Sequence, residues 1–183
     1  MKFLITAFIC FGIVSIASGQ SISTDSITIP RSYWVSGGVG LSTLGSASAG
    51  LVANAEIKNR ILISAGWIGE TSEKILDFST NHSVNVSSFN ALAGKIYKQR
   101  NSLISFSAGL GLVRLETRDT GGARVSSVTE TTIGIPLLVQ AHAIGFQAIG
   151  VGLNLYGNLN MKQSTTGIHL SIALGRIATR QKR

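Results

Sequence analysis

The feature that most constrains this chain is a repeated two-residue alternation between small or polar side chains and aliphatic ones. Eight segments show the alternation, each about as long as a membrane-crossing β-strand, and residues 46–57 show it most clearly. Side chains on a strand point alternately to its two faces, so each segment predicts a strand with one apolar face. No segment after the N-terminus has the roughly 20 consecutive apolar residues of a membrane-spanning helix.

The N-terminal residues 1–19 have the pattern of a secretory signal peptide. Lys2 precedes the apolar run FLITAFICFGIVSIA, and three small residues end at Gly19. We expect cleavage after Gly19. The single cysteine, Cys10, would leave with the signal, so the mature chain would have neither a disulfide nor a thiol nucleophile.

The rest of the chain has the composition of a protein wall that faces lipid. Charged residues make up 13% of the sequence, against about 25% in typical soluble domains. In lipid every backbone amide needs an internal partner, so a spanning chain without an apolar helix must close its sheet. The sequence therefore predicts an all-β fold: an eight-stranded antiparallel up-and-down transmembrane β-barrel over residues 32–177. Residues 20–31 are expected to form a periplasmic lead-in, and 178–183 a basic tail.

Two positions interrupt the regular alternation. In the fourth segment, 84–97, Phe89 and Leu92 imply opposite faces, which a bulge near Asn90 would reconcile. In the sixth segment, Pro136 falls on the inner face. A proline within a strand removes a ladder hydrogen bond, so we expect a bulge or a local gap in pairing there.

The connections between strands alternate in length. The short joins fall near Asn59, Gln99 and Ala143, and the longer ones near Asp77 and Gly121. An even-stranded barrel with both termini on one side has short turns on that side and longer loops on the other. The loops at 70–83 and 117–125 are therefore expected to face outside. Eight strands enclose an interior just wide enough for side chains, so we expect a filled lumen without an open pore.

Two stretches near the C-terminus carry a family resemblance. The runs TIGIPLLVQAHAIGFQAIGVGLNLYGNLN, from Thr132 to Asn160, and GIHLSIALGRI, from Gly167 to Ile177, resemble the outer-membrane β-barrel domain proteins of Bacteroidetes-type bacteria. The resemblance implies a small barrel similar in architecture to OmpX and OmpA, with both ends periplasmic and usually no assigned activity. One departure is the ending ATRQKR after Ile177, where many outer-membrane proteins end in an aromatic residue.

The formal net charge of +8 raises the question of nucleic-acid binding. The basic residues are not interleaved with aromatic stacking platforms, which argues against it. In the barrel they predict instead a basic rim at the periplasmic end, formed by Lys58, Arg60, Lys98, Arg100 and Arg176. No acidic residue adjoins those turns in the sequence, so we expect the rim to contact lipid headgroups and fix the depth of the barrel. The alternative is a docking surface for acidic cell-wall polymer or a periplasmic partner.

Polar residues on the inner faces predict a hydrogen-bonded network in the lumen. Its candidate members are Glu56, Glu130, Asn154 and His169. Buried polar groups must find partners, so we expect His169 to lie near Glu130 or Asn154. Glu70, Lys95 and Arg114 are further candidates for the interior. Charged lumens line channels, but in so narrow a barrel we favour a structural network over permeation.

Paired serine and histidine residues are relevant because some eight-stranded barrels are lipid A acylases or deacylases. The candidates are His82 with Ser83 in the long loop, His169 with Ser171, and His142, which we expect at the polar end of its strand. No nucleophile, base and orienting group are matched, so no enzyme is predicted. The three histidines lie on separate elements without metal-ligand spacing, and no metal or cofactor is expected.

The sequence as a whole predicts a small integral outer-membrane barrel of a Gram-negative bacterium, with a structural or interaction role. The expected partners are outer-membrane lipid and, beyond it, other outer-membrane proteins or acidic cell-wall polymer. Two alternatives stay open. One is an accessory subunit of a larger outer-membrane assembly, and the other is a soluble periplasmic barrel that binds lipid.

Overall fold

The computed structural model describes residues 32–43, 45–57, 60–71, 82–99, 101–119, 126–146 and 148–177. The predictions made for residues 1–31 and 178–183 lie outside these ranges. Eight strands follow one another along the chain: β1 Ser32–Ser42, β2 Ala47–Glu56, β3 Ile61–Thr71, β4 His82–Gln99, β5 Ser102–Asp119, β6 Ser126–Phe146, β7 Ile149–Asn160 and β8 Thr165–Arg176. Within the described ranges, no helix is long and apolar enough to cross a membrane.

The eight strands form one closed antiparallel barrel, which confirms the predicted fold. Each strand pairs with the next in sequence, and β8 pairs with β1 from Tyr33 opposite Arg176 to Ser42 opposite Gly167. We call the end of the barrel that holds Ser32 and Ile177 the terminal end. The opposite end, where β1 ends and β2 begins, is the loop end.

The two faces of the wall are sharply different. Every strand exposes large apolar side chains on the outside, for example Val39, Leu51, Ile63, Phe89, Leu110, Ile133, Val151 and Leu170. The residues between them point into the barrel and are small, polar or buried. Apart from β4 and the far end of β5, the alternation predicted the two faces of the strands correctly, because the period of two follows directly from strand geometry.

The expected bulge near Asn90 in β4 is wrong. The register of β4 runs without a shift from His82 to Gln99 against β5, and likewise along β3. Phe89 is 56% exposed on the outside and Leu92 is 5% exposed inside the barrel. Both residues fit one straight strand because the lumen of a narrow barrel accepts apolar side chains as well as polar ones.

The irregularities of β6 lie on both sides of that strand. In the β5–β6 ladder, Ala108 pairs with Leu137 and the next pair is Gly111 with Gly134, so two pairs are missing between them. The register is the same on both sides of this gap. Pro136 thus produces the local gap rather than a bulge, since it has no N–H to donate. The β6–β7 register shifts between Ile144 and Phe146, so β6 continues beyond the turn that was expected near Ala143.

Strands β4, β5 and β6 extend past their neighbours at the loop end. The β3–β4 ladder ends at Thr71 opposite Asn85, and the β6–β7 ladder ends at Gly134 opposite Asn160. The β5–β6 ladder continues to Asp119 opposite Ser126. A three-stranded extension therefore rises above the barrel wall, and this extension determines where several charged residues lie.

Three buried apolar clusters fill much of the interior. The cluster at the terminal end contains Trp34, Leu62, Ile96, Leu103, Ile144, Ala173 and Ile177. The second contains Val52, Leu92, Leu138 and Tyr156, and the third contains Val86, Val113 and Leu115 near the loop end. Ile177 follows the last strand and is fully buried in the terminal cluster.

Inward glycines let neighbouring backbones approach closely. A Cβ atom on Gly109 would lie 1.9 Å from the carbonyl oxygen of Ala91, a distance that forces the backbone to move. Gly37 on the outer face of β1 differs, because its Cβ atom would meet only the Leu51 side chain at 3.6 Å. The same substitution at Gly109 and at Gly37 therefore compares a crowded inward position with an open outward one.

We expect Gly109→Val to prevent closure of the barrel or to destabilise it by about 3 kcal/mol or more, the upper end of overpacking costs. Gly37→Val should fold normally, because its side chain enters open space. Heat-modifiable migration on a gel, with and without boiling, measures the folded barrel in both variants. Equal folded fractions would contradict the close approach seen at Gly109.

Candidate functional site

A layer of polar side chains crosses the lumen between the first two apolar clusters. The inner face of β6 shows the order directly, as Gln140 and His142 lie between Leu138 of the second cluster and Ile144 of the first. Gln140 Nε2 donates a hydrogen bond to Ser36 Oγ at 2.9 Å, and Ser105 Oγ donates to Gln140 Oε1 at 3.3 Å. One amide thus joins β1 and β5 through β6.

The sequence predicts His142 at the polar end of its strand, but the residue lies inside the barrel. It is four residues before the end of β6, and its Nε2 atom lies 3.0 Å from Ser171 Oγ. Ser171 Oγ is in turn 3.2 Å from Asn154 Oδ1. With the hydroxyl donating to Asn154, His142 donates through Nε2–H to Ser171. The chain of bonds joins β6, β7 and β8.

His169 occupies a second polar position in the lumen. Its Nε2 atom lies 2.9 Å from Ser48 Oγ of β2, and its ring packs against Tyr156 with centroids 4.6 Å apart. Asn154 is its cross-strand neighbour in the β7–β8 register. His169 and Asn154 are therefore close together, as the sequence suggested, and both are buried.

Glu56 forms an ion pair across the terminal end of the barrel. Lys98 Nζ contacts Glu56 Oε2 and also Ser32 Oγ, and the Lys98 and Glu56 side chains are only 17% and 8% exposed. Lys98 therefore points inward and has an acidic partner. The prediction of Lys98 as a rim cation without an adjoining acid is wrong, because Glu56 reaches it from the other side of β3.

Glu130 lies outside the lumen network to which it was assigned. It is exposed on the extension of β6, where its Oε2 atom is 3.1 Å from Lys162 Nζ. Glu130 does lie on the inward side of β6, as predicted. However, β7 ends opposite Gly134 and does not reach the level of Glu130. An inward position on the extension therefore opens to the surroundings.

The other predicted charged residues divide between the two faces. Glu70 is buried inside the barrel, whereas Lys95 and Arg114 are exposed on outward positions of β4 and β5. Assigning Lys95 and Arg114 to the interior was wrong, because the faces of β4 and the far end of β5 were not settled by their sequence. Arg60 and Arg176 of the predicted rim are exposed at the terminal end. Lys58 and Arg100 lie outside the described ranges.

The serine–histidine contacts have the distances of a nucleophile and a base but not the surroundings. Ser171 is 1% exposed, so no substrate reaches its hydroxyl in this arrangement. His142 Nδ1 is buried without a hydrogen-bond partner among the described residues, so no group orients the ring for catalysis. His82 begins β4, and its side chain lies outside the described part of the structure. In the described part, no three His, Cys, Asp or Glu side chains are grouped to hold a metal ion.

A small enclosed cavity lies beside the second apolar cluster. Four buried polar atoms without a partner of good geometry in the described ranges belong to residues that line it: Glu70 Oε2, Asn90 Oδ1, Tyr156 OH and Asn158 Nδ2. Its volume of about 10 Å³ is that of roughly one water molecule. The mixture of donors and acceptors matches a water molecule rather than a larger ligand. Tyr156 was not recognised from sequence, where it was only one inward residue of β7.

The Glu56–Lys98 pair is expected to be needed as a pair. Because each charge is mostly buried, Glu56→Gln or Lys98→Met alone should lower the free energy of unfolding by about 3 kcal/mol. The double variant should recover part of that loss. Urea unfolding of the barrel in detergent measures all three.

The matched control is the more exposed ion pair at the loop end, in which Arg118 Nη2 lies 2.8 Å from Glu116 Oε1. Glu116→Gln should cost less than about 1 kcal/mol, because water screens that pair. Strictly additive effects of Glu56→Gln and Lys98→Met would contradict coupling at the terminal end.

Comparison with solved structures places this architecture among small outer-membrane barrels. Neisserial surface protein A (NspA) matches with a TM-score of 0.59 and 17% sequence identity, over 80% of this chain and 97% of that one. Ail, the attachment invasion locus protein of Yersinia pestis, matches with a TM-score of 0.58 and 9% identity, over 80% and 99%. The N-terminal β-barrel domain of OprF from Pseudomonas aeruginosa gives 0.56 and 9%, over 80% and 98%.

These likenesses establish the fold at low sequence identity. The chain has a closed eight-stranded barrel with the fold of the outer-membrane proteins NspA and Ail and of the OprF barrel domain. No protein-family model matches the sequence, and no curated protein matches it.

Proposed function

We propose that this protein is a small integral outer-membrane barrel with a structural or interaction role. The observation that carries the proposal is the distribution of side chains across the barrel wall. Large apolar side chains are exposed on the outside of every strand, and polar ones are buried inside, which is the reverse of a water-soluble protein. In water such a surface would aggregate, whereas in a bilayer it is the surface that lipid requires. The solved barrels with the same fold are consistent with this location.

The proposal includes export and orientation. Residues 1–19 would direct export, 20–31 would form the periplasmic lead-in before the barrel at 32–177, and 178–183 would form the basic tail. The terminal end would then face the periplasm. The sequence runs from Thr132 to Asn160 and from Gly167 to Ile177 resemble barrel-domain proteins of Bacteroidetes-type bacteria. This resemblance is the reason for proposing that the protein comes from a bacterium of that type. Arg60 and Arg176, both exposed at the terminal end, would contact lipid headgroups or acidic cell-wall polymer.

The proposed barrel is closed to ions and solutes. The terminal cluster of seven apolar residues lies across one end of the lumen, and the Glu56–Lys98 pair lies beside it. The polar layer and the second cluster follow. In the proposed barrel these side chains would obstruct an aqueous path through the eight-stranded lumen, so permeation is not proposed.

The two tryptophans allow a direct test of membrane insertion. Trp34 is 2% exposed inside the barrel, and Trp67 lies on the outer face of β3, between Leu51 and Phe89 of the adjoining strands. In vesicles of brominated phosphatidylcholine, Trp34→Phe, which keeps Trp67, should show strong fluorescence quenching. Trp67→Phe, which keeps Trp34, should show weak quenching, because bromine quenches on contact.

Heat-modifiable migration provides the folding control for both tryptophan variants. Folded barrels with equal quenching at the two positions would contradict the assigned faces. A folded barrel that stays monodisperse in plain buffer, with no quenching at either position, would overturn the membrane proposal.

We expect the reconstituted protein to produce no discrete conductance steps in a planar phospholipid bilayer. The physical reason is that the seven apolar side chains of the terminal cluster lie in the path of a hydrated ion. A porin added to the same bilayer checks that insertion and recording work. Reproducible steps from the purified barrel would show that the lumen opens.

The accessory-subunit alternative has one supporting observation. The outward face of β2 carries alanine at 47, 49, 53 and 55, so it is flatter than the other strands and would admit a closely packed partner. Co-purification of the native protein with a stable larger complex would favour that role over a lone barrel. A soluble lipid-binding barrel fits less well, because its apolar residues would line the cavity rather than the outside.

A further inference from the structure

A groove crosses the outer surface of β4, β5 and β6 in the half of the barrel nearer the terminal end. Its volume is about 680 Å³, and it is open along its length. Ligand-binding pockets typically measure about 300–1,000 Å³. The side chains that shape the groove are Ala93, Lys95 and Tyr97 of β4, Phe106 and Ala108 of β5, and Leu137 of β6.

The strand register explains why the groove is present. Ala93 lies opposite Ala108 in the β4–β5 ladder, and Ala108 lies opposite Leu137 in the β5–β6 ladder. Two adjacent alanines on the outer face leave a depression beside Phe106 and Leu137, which are both exposed. An extended hydrocarbon chain can pack into such a depression, because the walls are aliphatic and aromatic.

Lys95 places a positive charge in this apolar surface. It lies opposite Phe106 and Ile61 on the outer face, and no described side chain forms an ion pair with it. Tyr97, the next outward residue on β4, packs edge to face with Phe106. Because Lys95 precedes Tyr97 by two residues on β4, it lies about 7 Å farther from the terminal end, measured along the strand. A cation on a lipid-facing wall is unfavourable, and the cost falls when its side chain reaches the headgroup region and pairs with an anion there.

We propose that this groove is a binding site for an anionic phospholipid of the leaflet at the terminal end. The Lys95 side chain extends toward the terminal end, so that its ammonium contacts the phosphate at the headgroup level of Tyr97, and one acyl chain packs over Ala93 and Ala108. The proposal rests on the membrane location proposed above, and adds a specific lipid at a defined place on the wall.

Charge complementarity selects this occupant over a second copy of the chain. The exposed carboxylates whose side chains are described, Glu116 and Glu130, already pair with Arg118 and Lys162 near the loop end. The described surface thus offers no free acid to meet Lys95. An anionic phospholipid supplies the phosphate for Lys95 and the hydrocarbon for the alanine depression in one molecule.

Native mass spectrometry of the barrel released from nanodiscs tests the site. The nanodiscs contain equal parts of phosphatidylcholine and phosphatidylglycerol, and the readout is the ratio of the two lipids retained. Wild type should retain phosphatidylglycerol preferentially, and Lys95→Gln should lower the ratio about fivefold, from the attraction of one basic residue for anionic lipid. Ala108→Phe fills the depression and should reduce retention of both lipids.

Two matched variants control for charge and for bulk. Arg114→Gln removes an outward cation near the loop end, and Ala65→Phe enlarges an outward alanine on β3. Both should keep the wild-type ratio. An unchanged ratio in Lys95→Gln, or an equal loss in Arg114→Gln, would overturn the site.

The tryptophan quenching experiment separates the two levels of failure. A barrel with Trp67 quenched by brominated lipid but with no preference for phosphatidylglycerol would overturn the lipid site alone. A barrel that does not insert would overturn both the site and the membrane location.

Discussion

The pairing of β1 with β8 is the constraint on which the rest of this structure depends. Ten residue pairs close the sheet, from Tyr33–Arg176 to Ser42–Gly167. Closure removes the free edges that a bilayer would not tolerate over the barrel wall, since lipid offers no partner for backbone amides. It also fixes the width of the lumen at a value that only side chains can fill. The many inward glycines and serines fit that narrow width.

The crowded lumen explains both its small residues and its polar bonds. Gly109 lies where the Ala91 carbonyl leaves no room for a Cβ atom. Gln140, His142 and His169 are large, and each contacts serine across the barrel. A serine opposite a long polar side chain combines small volume with a hydrogen-bond partner. Such bonds join strands that are not neighbours in sequence, so they act as crosslinks within the closed wall.

The outer surface follows a different rule, because in the proposed membrane location it contacts lipid rather than protein. Aliphatic side chains are sufficient there, and departures from them carry information. Lys95 departs in charge, and Ala93 and Ala108 depart in size at the same place, which is why we infer a lipid site in that groove. The extension of β4 to β6 rises above the wall at the loop end and carries the exposed pairs Glu116–Arg118 and Glu130–Lys162. Interaction with partners outside the membrane would involve this extension first.

The sequence by itself determined the strands, their number and most of their faces, because a period of two is a local property of each segment. It failed at β4, since Leu92 is apolar and inward, and hydrophobicity alone does not distinguish lipid from a packed lumen. Only the tertiary structure decided which inward residues meet. Glu56 and Lys98 are 42 residues apart, and His142 and Ser171 are 29 apart. Their contacts depend on closure and on the stagger of the strands, and strand length decided that Glu130 lies above the lumen rather than in it. These are properties of the whole barrel, which no single segment contains.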